Sequence, residues 1–429
     1  MRPFKCVFKI CAGIFVLMLA LKFVSLTFMR PNTYDRYKTF IKSRTDYDVL
    51  FLGGSRVLNA VNPMQLWEDY GITSYNLGWH GATIPLDTWM LKIVQKYHKP
   101  KIAIMDIYGL QVSFKDDEGS SLAYIHDEFD NFPLFPTKWQ AVLDMRAKPE
   151  ERAELAFPLY LYHNRWKEDK FTPITENTVK RLRGKYNPHI SKGMDFRIAV
   201  KSNQFPASNY VIKNRYDGKE TTSMEYCRQF IAYCKKNGIV PAFMYVPALG
   251  IVSTPASRDN LATWISAFRQ ILEEEGLLFL DMILPDDIVD FDIDQFDLGA
   301  HLNPSGARKV TDAIGKFLTE DLGCQSHKDD ESFSSWNDDY VAYRKWLLDT
   351  IARQKNFKNL LMMTNHSEVY ATVTAASETA FDPTEEKLLF ENWSDIRFER
   401  TTEAGTKVTV VVYERGTDKD VVRLEVEKK

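Results

Sequence analysis

From Asp48 the chain alternates short, wholly apolar runs with stretches whose apolar residues recur at helical spacing. DVLFL, NPMQLWEDYG, SYNLG, PLDTWMLKIVQKYHKP and KIAIMDIY read in that order as strand, helix, strand, helix, strand. In the first helix Asn62 suits the cap, Pro63 the first helical position and Gly71 the stop. In the second, Leu86, Trp89, Met90, Ile93, Val94 and Tyr97 share a face. Runs such as KIAIM are apolar on both faces, as strands of a parallel sheet covered by helices are. The rhythm stops after Tyr108 and resumes near Thr222 with a helix containing Cys227, then IVPAFMYV, a helix from about Arg258 to Glu275, and LLFLDM. A last helix, SGARKVTDAIGKFLTED, sets Val310, Ala313, Ile314, Phe317 and Leu318 on one side. The pattern predicts an α/β domain, a parallel sheet covered by helices, over 46–325, with an inserted cap region at 109–221. Insertions at the carboxyl ends of parallel strands lie where ligands bind.

Beyond it, HKDDESFSSWNDD reads as a polar linker from His327. A helix around Tyr340 to Ile351 and the period-two runs EVYATVTAAS, IRFERT, TKVTVVVYE and VVRLEVEK then predict a small α+β module over 326–429. At the other end, Arg2, Lys5 and Lys9 precede ICAGIFVLMLALKFVSLTF, Ile10 to Phe28, apolar apart from Lys22 and two hydroxyl residues. Residues 1–30 therefore predict a signal anchor rather than a cleaved signal, since VSLTFMRP offers bulky residues where a peptidase needs small ones. Either segment would carry the rest of the chain across the membrane. The expectation is a single-pass cell-membrane protein with its globular part extracytoplasmic.

Composition narrows the picture. With 45% hydrophobic residues, 27 Phe and 20 Tyr among 429 residues, a sizeable core is available and disorder is excluded. The net charge of −3 gives no general attraction for nucleic acid. The 5 cysteines contain no C-x-x-C and no Cys/His cluster, so no metal is implied. Cys227 and Cys234, about 10 Å apart along a helix, are too distant for an unstrained disulfide and read as buried thiols.

Candidate chemistry sits in three pieces. In FLGGSRV a strand ends in Gly-Gly and then presents Ser55, a hydroxyl at the sheet edge beside glycines that let an amide approach an oxyanion. NLGWHG, Asn76 to Gly81, also follows a strand and offers the Gly81 amide and the Asn76 side-chain amide. FDLGAHLNPSGA holds His301 just before the last helix, where Asn303 and Pro304 start it, with Asp297 four residues earlier to orient the imidazole. A serine after the first strand and a histidine before the last helix meet over one sheet edge, as nucleophile and base must. His98, His126, His189, His327 and His366 read as structural.

In order and spacing these pieces resemble the SGNH (GDSL-like) hydrolase superfamily, within it the membrane-anchored bacterial branch of the teichoic-acid D-alanylation transfer protein and alginate O-acetylation proteins. The likeness spans about Asp48 to Cys324. It implies a three-layer α/β/α fold, Ser55 as nucleophile, His301 as base, an acid near His301, and an oxyanion hole from the Ser55 and Gly81 amides with Asn76. It implies acyl transfer or hydrolysis of O-acyl esters on a cell-envelope polysaccharide or teichoic acid, without cofactor, and a polytopic membrane O-acyltransferase as partner. YHNRW, Tyr162 to Trp166, also looks like a segment of that branch. Two departures stand out. The superfamily usually has Asp three residues before His, where this chain has Leu298, leaving Asp297 or Asp294 as the acid. The Gly-x-Asn-Asp block is absent, and Asp106 stands where a neutral donor is expected. These departures keep open a non-catalytic envelope-binding or assembly protein with the same fold.

Overall fold

The computed structural model describes residues 2–28, 33–113, 122–133, 135–145, 148–156, 159, 167, 176–201, 211–283, 288–297 and 299–428. The YHNRW segment and Leu298 lie outside them. The chain gathers into two compact units, one of residues 1–43 and 115–189, the other of residues 44–114 and 190–429. The stretch expected as one insertion is thus divided, residues 190–221 belonging with the sheet.

The larger unit is built on five parallel strands, β1 (Val49–Leu52), β2 (Ser74–Asn76), β3 (Ile102–Asp106), β4 (Val240–Tyr245) and β5 (Phe279–Asp281), in the order β2-β1-β3-β4-β5. Alternate side chains serve opposite layers. Val49, Phe51, Ile102, Ile104, Ala242 and Met244 pack with Val57, Leu66, Val310 and Ile314 of the helices Ser55–Ala60, Pro63–Tyr70 and Pro304–Lys316. On the other face Phe243 meets Phe230 and Phe268 edge-on, at 5.5 and 5.1 Å, bringing in the helices Thr222–Lys236 and Pro255–Glu275. Helix Ile84–Val94 packs against Thr222–Lys236 and completes that layer. The result is a three-layer α/β/α fold, in keeping with the helix-covered parallel sheet that the apolar runs predict. Local signals behave as read: Asn62 caps its helix through Met64 and Gln65 amides, and Gly71 ends it at φ 70°.

A second sheet closes the chain: β6 (Val369–Ala375), β7 (Ile396–Arg400), β8 (Lys407–Glu414) and β9 (Lys419–Glu427), in the order β7-β6-β8-β9. It is mixed, because helix Pro383–Phe390 carries the chain across from β6 to a parallel β7. Both sheets lie in one compact unit. The physical reason lies in the stretch read as a linker. Helix Ser334–Ala352 begins inside it and buries Trp336, whose ring meets Trp67 at 5.5 Å and whose indole N–H donates to Thr45 at 3.1 Å. Tyr343 on the same face is buried and accepts from Asn62 at 2.9 Å.

The smaller unit holds helices Arg2–Phe28, Tyr34–Lys42, Leu122–Phe129, Pro136–Met145, Pro149–Ala156 and Glu176–Leu182. Its first helix contains Val7–Ser25, 19 residues of mean hydropathy 2.3 with none of that stretch buried, long and apolar enough to cross a membrane or to act as a signal sequence.

Candidate active site

The strand order reverses direction between β1 and β3, and in open α/β sheets the crevice outside the carboxyl ends at such a point is where ligands bind. Ser55 stands there. The chain leaves β1 through Gly53, at φ 152°, where an added Cβ would lie 2.5 Å from Val57 and 2.9 Å from Asp106, so a side chain has no room. Gly54 precedes the helix Ser55–Ala60, which fixes the serine as its first residue. Ser55 Oγ lies 2.7 Å from His301 Nε2.

His301 is delivered by a loop closed at both ends. Asn303 caps helix Pro304–Lys316 through the amides of Ser305 and Gly306, while its own amide group donates to the carbonyls of Ile293 and Gln295 at 2.7 and 3.2 Å. Gln295 bridges to Leu302, and the Phe296 amide donates to the His301 carbonyl at 3.0 Å. At the tip, Asp297 Oδ1 accepts the amides of Ala300 and His301, both at 3.0 Å, and Oδ2 lies 2.5 Å from His301 Nδ1. A carboxylate on Nδ1 fixes the tautomer that leaves a lone pair on Nε2 for the serine proton. Burial pushes the Asp297 carboxyl up, but the His301 hydrogen bond and charge with the two amides outweigh it and hold it below the ordinary value. The His301 and Asp297 side chains are 24% and 36% exposed, so the line Ser55–His301–Asp297 is open to a substrate.

Asp294, the alternative acid, is turned away. It is fully buried, with Oδ1 accepting from Ser305 at 2.7 Å and Oδ2 from Lys309 at 2.7 Å. Asn76 also differs from expectation. Its amide group donates to the carbonyls of Val57 and Val61 at 2.7 and 2.9 Å, and its Oδ1 accepts the Gly78 amide at 2.9 Å. Both amide hydrogens are engaged with the serine helix, so Asn76 braces that helix rather than offering a donor to a substrate. Gly78 packs where an added Cβ would lie 2.5 Å from the Leu58 nitrogen, and an added Cβ on Gly54 would lie 3.8 Å from the Ala82 carbonyl. The loop containing Gly81, at φ 69°, therefore runs beside the serine turn.

Asp106 ends β3 in a buried ion pair. Arg56, the residue after the serine, donates to Asp106 at 2.8 Å and to the Val246 carbonyl at 2.9 Å, with its guanidinium over the Tyr108 and Tyr245 rings at 4.1 and 4.8 Å. The position expected to supply a neutral donor thus supplies an anion that ties the serine helix to β3 and β4. The other histidines have structural partners: His98 bonds Asp46, His126 bonds Asp130 and His327 bonds Asp48. Burial, with Arg308 and Arg344 adding to it, lowers His366 to about 3. Burial also raises Cys227 and takes Cys234 to about 12, which leaves neither thiol poised to ionise. Among the described residues no group of His, Cys, Asp or Glu is arranged to hold a metal ion.

No family model matches the chain, and no curated protein matches it. Among solved structures it is similar to a candidate acylhydrolase from Bacteroides fragilis, with a TM-score of 0.32 and 9% sequence identity, over 67% of this chain and 95% of that one.

The sequence pattern places an insertion, 109–221, at this edge but singles out none of the residues 190–201 within it. The extended segment 190–201 crosses all three motif pieces. Lys192 accepts the Asn76 amide at 3.0 Å, the Asp195 amide donates to Leu58 at 3.0 Å, and Lys201 donates to Gln295 at 3.1 Å. Gly193 sits so close that an added Cβ would lie 2.0 Å from the Asn76 carbonyl oxygen. The strap holds Arg197 between His80, at 3.5 Å, and the Phe296 ring, at 5.8 Å. Backbone hydrogen bonds are joined by side-chain packing, with Met194 buried and the Phe196 ring 4.9 Å from Trp346; the alternation Met194, Phe196, Ile198, Val200 and the close-packed Gly193 are the signals in the sequence that could have found it.

Proposed function

We propose that this chain is a serine-dependent acyl-transfer enzyme of the SGNH type. The observation that carries the reading is the continuous line of hydrogen bonds from Ser55 Oγ through His301 to Asp297, with a close Nε2 and a carboxylate on Nδ1. Ser55 Oγ attacks an ester carbonyl as its proton passes to His301 Nε2, and the amides of Ser55 and Gly81 receive the oxyanion. Nε2 then protonates the departing alcohol, leaving an acyl-serine. A hydroxyl or water gives its proton to Nε2 and attacks that ester, which frees the acyl group and restores the serine.

The finer reading rests on the motif resemblance and the apolar first helix: a membrane-anchored, outward-facing O-acyltransferase or esterase acting on a cell-envelope polysaccharide or teichoic acid, supplied by a polytopic membrane O-acyltransferase. With Asn76 engaged elsewhere and Asp106 paired to Arg56, the oxyanion hole has fewer donors than a full set. One missing donor costs about 10²- to 10³-fold in rate, which a slow polymer-modifying enzyme tolerates. The same observation favours the second reading, a non-catalytic envelope-binding protein that keeps the fold. A fluorophosphonate probe separates them. Ser55 should be labelled in the native protein, and labelling should vanish in Ser55→Ala and His301→Ala without loss of folding. The double variant should lose no more than either single, because the pair acts as one unit. Undiminished labelling in Ser55→Ala, or none in the native protein, would exclude the enzyme reading.

A further inference from the structure

The C-terminal module carries no catalytic constellation, yet three of its separate segments send polar side chains to one place. Helix Pro383–Phe390, started by a reciprocal capping box between Asp382 and Glu385, presents Lys387. The turn after helix Phe357–Met363 presents Asn365, and the turn before β7 presents Asn392. All three meet the stems of the loop whose tip carries Asp297 and His301.

At the first stem Lys387 Nζ bridges two carboxylates, Asp290 at 2.8 Å and Asp292 at 2.6 Å. These two like charges would otherwise repel one another two residues apart. At the second stem Ser305 Oγ accepts from Asn365 at 2.9 Å and lies 3.1 Å from Asn392 Oδ1. Asp294 joins stem to stem: Oδ1 takes the Ser305 hydroxyl, Oδ2 takes the Asp290 amide at 2.8 Å, and its carbonyl accepts the Asn303 amide at 3.0 Å. The cluster is built for rigidity, since Asp294, Ser305, Asn365 and Lys309 are all buried and each has a partner. Only a short arm separates it from the chemistry, for Gln295 bridges to Leu302 and Asp297 lies two residues further on.

We propose that the C-terminal module is a clamp that sets the His301 loop, with Lys387 as a positioning residue acting through Asp290 and Asp292 on the Asp297–His301 pair. This rests on Asp297 and His301 being acid and base. Lys387 touches no reacting atom; its role is to hold the base at hydrogen-bond distance from Ser55, where a displacement near 1 Å costs up to about 10²-fold.

The test is saturation labelling kinetics with the fluorophosphonate probe in the full-length protein, comparing wild type, Lys387→Met, Lys387→Arg, Asp297→Asn and the Lys387→Met/Asp297→Asn pair. Lys387→Met should lower the maximal labelling rate by about 10- to 100-fold with an unchanged half-saturating probe concentration, and Lys387→Arg should restore most of it. In the Asp297→Asn background, Lys387→Met should add nothing, since both act on one orientation. A purely structural loss would instead multiply in full. Hydrogen exchange over residues 296–303 reads the clamp without chemistry and should rise in Lys387→Met and not in Lys387→Arg. Labelling of Lys387→Met at the wild-type rate, or full additivity with Asp297→Asn, overturns the clamp. A wild type that takes up no probe overturns the catalytic reading instead, and unchanged exchange in Lys387→Met then overturns the clamp on its own.

Discussion

Asp297 reaches His301 from four residues away because the intervening turn absorbs the extra residue. Gly299 adopts φ 102°, and Oδ1 gathers the amides of Ala300 and His301 while Oδ2 stays on Nδ1. Asp297→Asn should therefore leave the melting temperature near wild type and lower probe labelling by up to about 10⁴-fold, the size seen when a triad loses its tautomer-fixing carboxylate. Asp294→Asn should instead act first on stability, and slow labelling only through the loop stems it joins. Its charge answers the buried Lys309, so removing it leaves a cation unpaired and costs about 3–5 kcal/mol of stability in a denaturant titration. The pH dependence of Asp297 follows from its depressed folded value. Its contribution to stability is complete above the ordinary carboxylate pKa and is lost as the pH falls through the lower folded value, below about pH 4. A carboxyl-detected NMR titration of Asp297 should show its midpoint below that of Asp297 in the unfolded chain; a midpoint above it would remove His301 as its partner. At this scale the sequence reveals residue types and not directions. Ser55 and His301 are legible because glycine turns and a helix cap fix where they must stand, while the sequence alone leaves Asp297 and Asp294 open as the partner of His301. Asn76 and Asp106 are not, because only the folded chain determines that one amide faces Val57 and Val61 and that Arg56 meets the other carboxylate.

Elements were legible in proportion to how much of their stability comes from a repeating apolar face. β1, β3 and β4 are buried runs, and helix Pro304–Lys316 shows the stripe Val310, Ile314 that packs into the sheet core. Helix Ser55–Ala60 was hidden, being a six-residue turn of helix held by tertiary burial, too short to form alone. Helix Ser334–Ala352 is legible from about Tyr340 to Ile351, and only its start reads as linker, because there the single buried Trp336 stands among exposed polar residues. The strap 190–201 carries the period-two run Met194, Phe196, Ile198, Val200, yet it joins neither sheet, so its place follows from tertiary contacts and not from that pattern. Two predictions belong to the elements. Gly53→Ala meets both a glycine-only dihedral and contacts at 2.5 and 2.9 Å, so it should cost about 1–3 kcal/mol in chemical denaturation and slow labelling by moving the serine turn. Asp106→Asn should be worse for stability, about 3–5 kcal/mol, by stranding the buried Arg56 charge, while paired replacement of Arg56 and Asp106 by apolar residues of similar volume should recover much of that loss. Recovery of stability without recovery of labelling would show that the pair orients the serine helix as well as filling the space beneath it.

For the whole molecule, the decisive quantity is the free energy of the first helix in water. Val7–Ser25 has mean hydropathy 2.3 and no fully buried residue, so most of its apolar surface lacks cover. Each fully exposed large aliphatic or aromatic side chain forgoes about 1.5–3 kcal/mol relative to an apolar environment, and Phe8, Ile14, Phe15, Leu17 and Met18 are all more than half exposed. A bilayer is the environment that removes this cost, since a stretch of about 20 apolar residues matches its hydrocarbon thickness. If the helix spans a bilayer, the basic residues Arg2, Lys5 and Lys9 before it predict, by the positive-inside rule, that residues from about 46 onward face outward. The full-length chain should accordingly remain in the membrane pellet after an alkaline carbonate wash, and protease added to intact cells should digest the sheet unit. A cleaved signal would give a different result, an extracellular chain lacking the first helix and absent from the pellet. A full-length chain that washes off at high salt, or that is protected until the membrane is opened, would contradict both and would place the serine site on the side of the membrane where no envelope polymer can reach it.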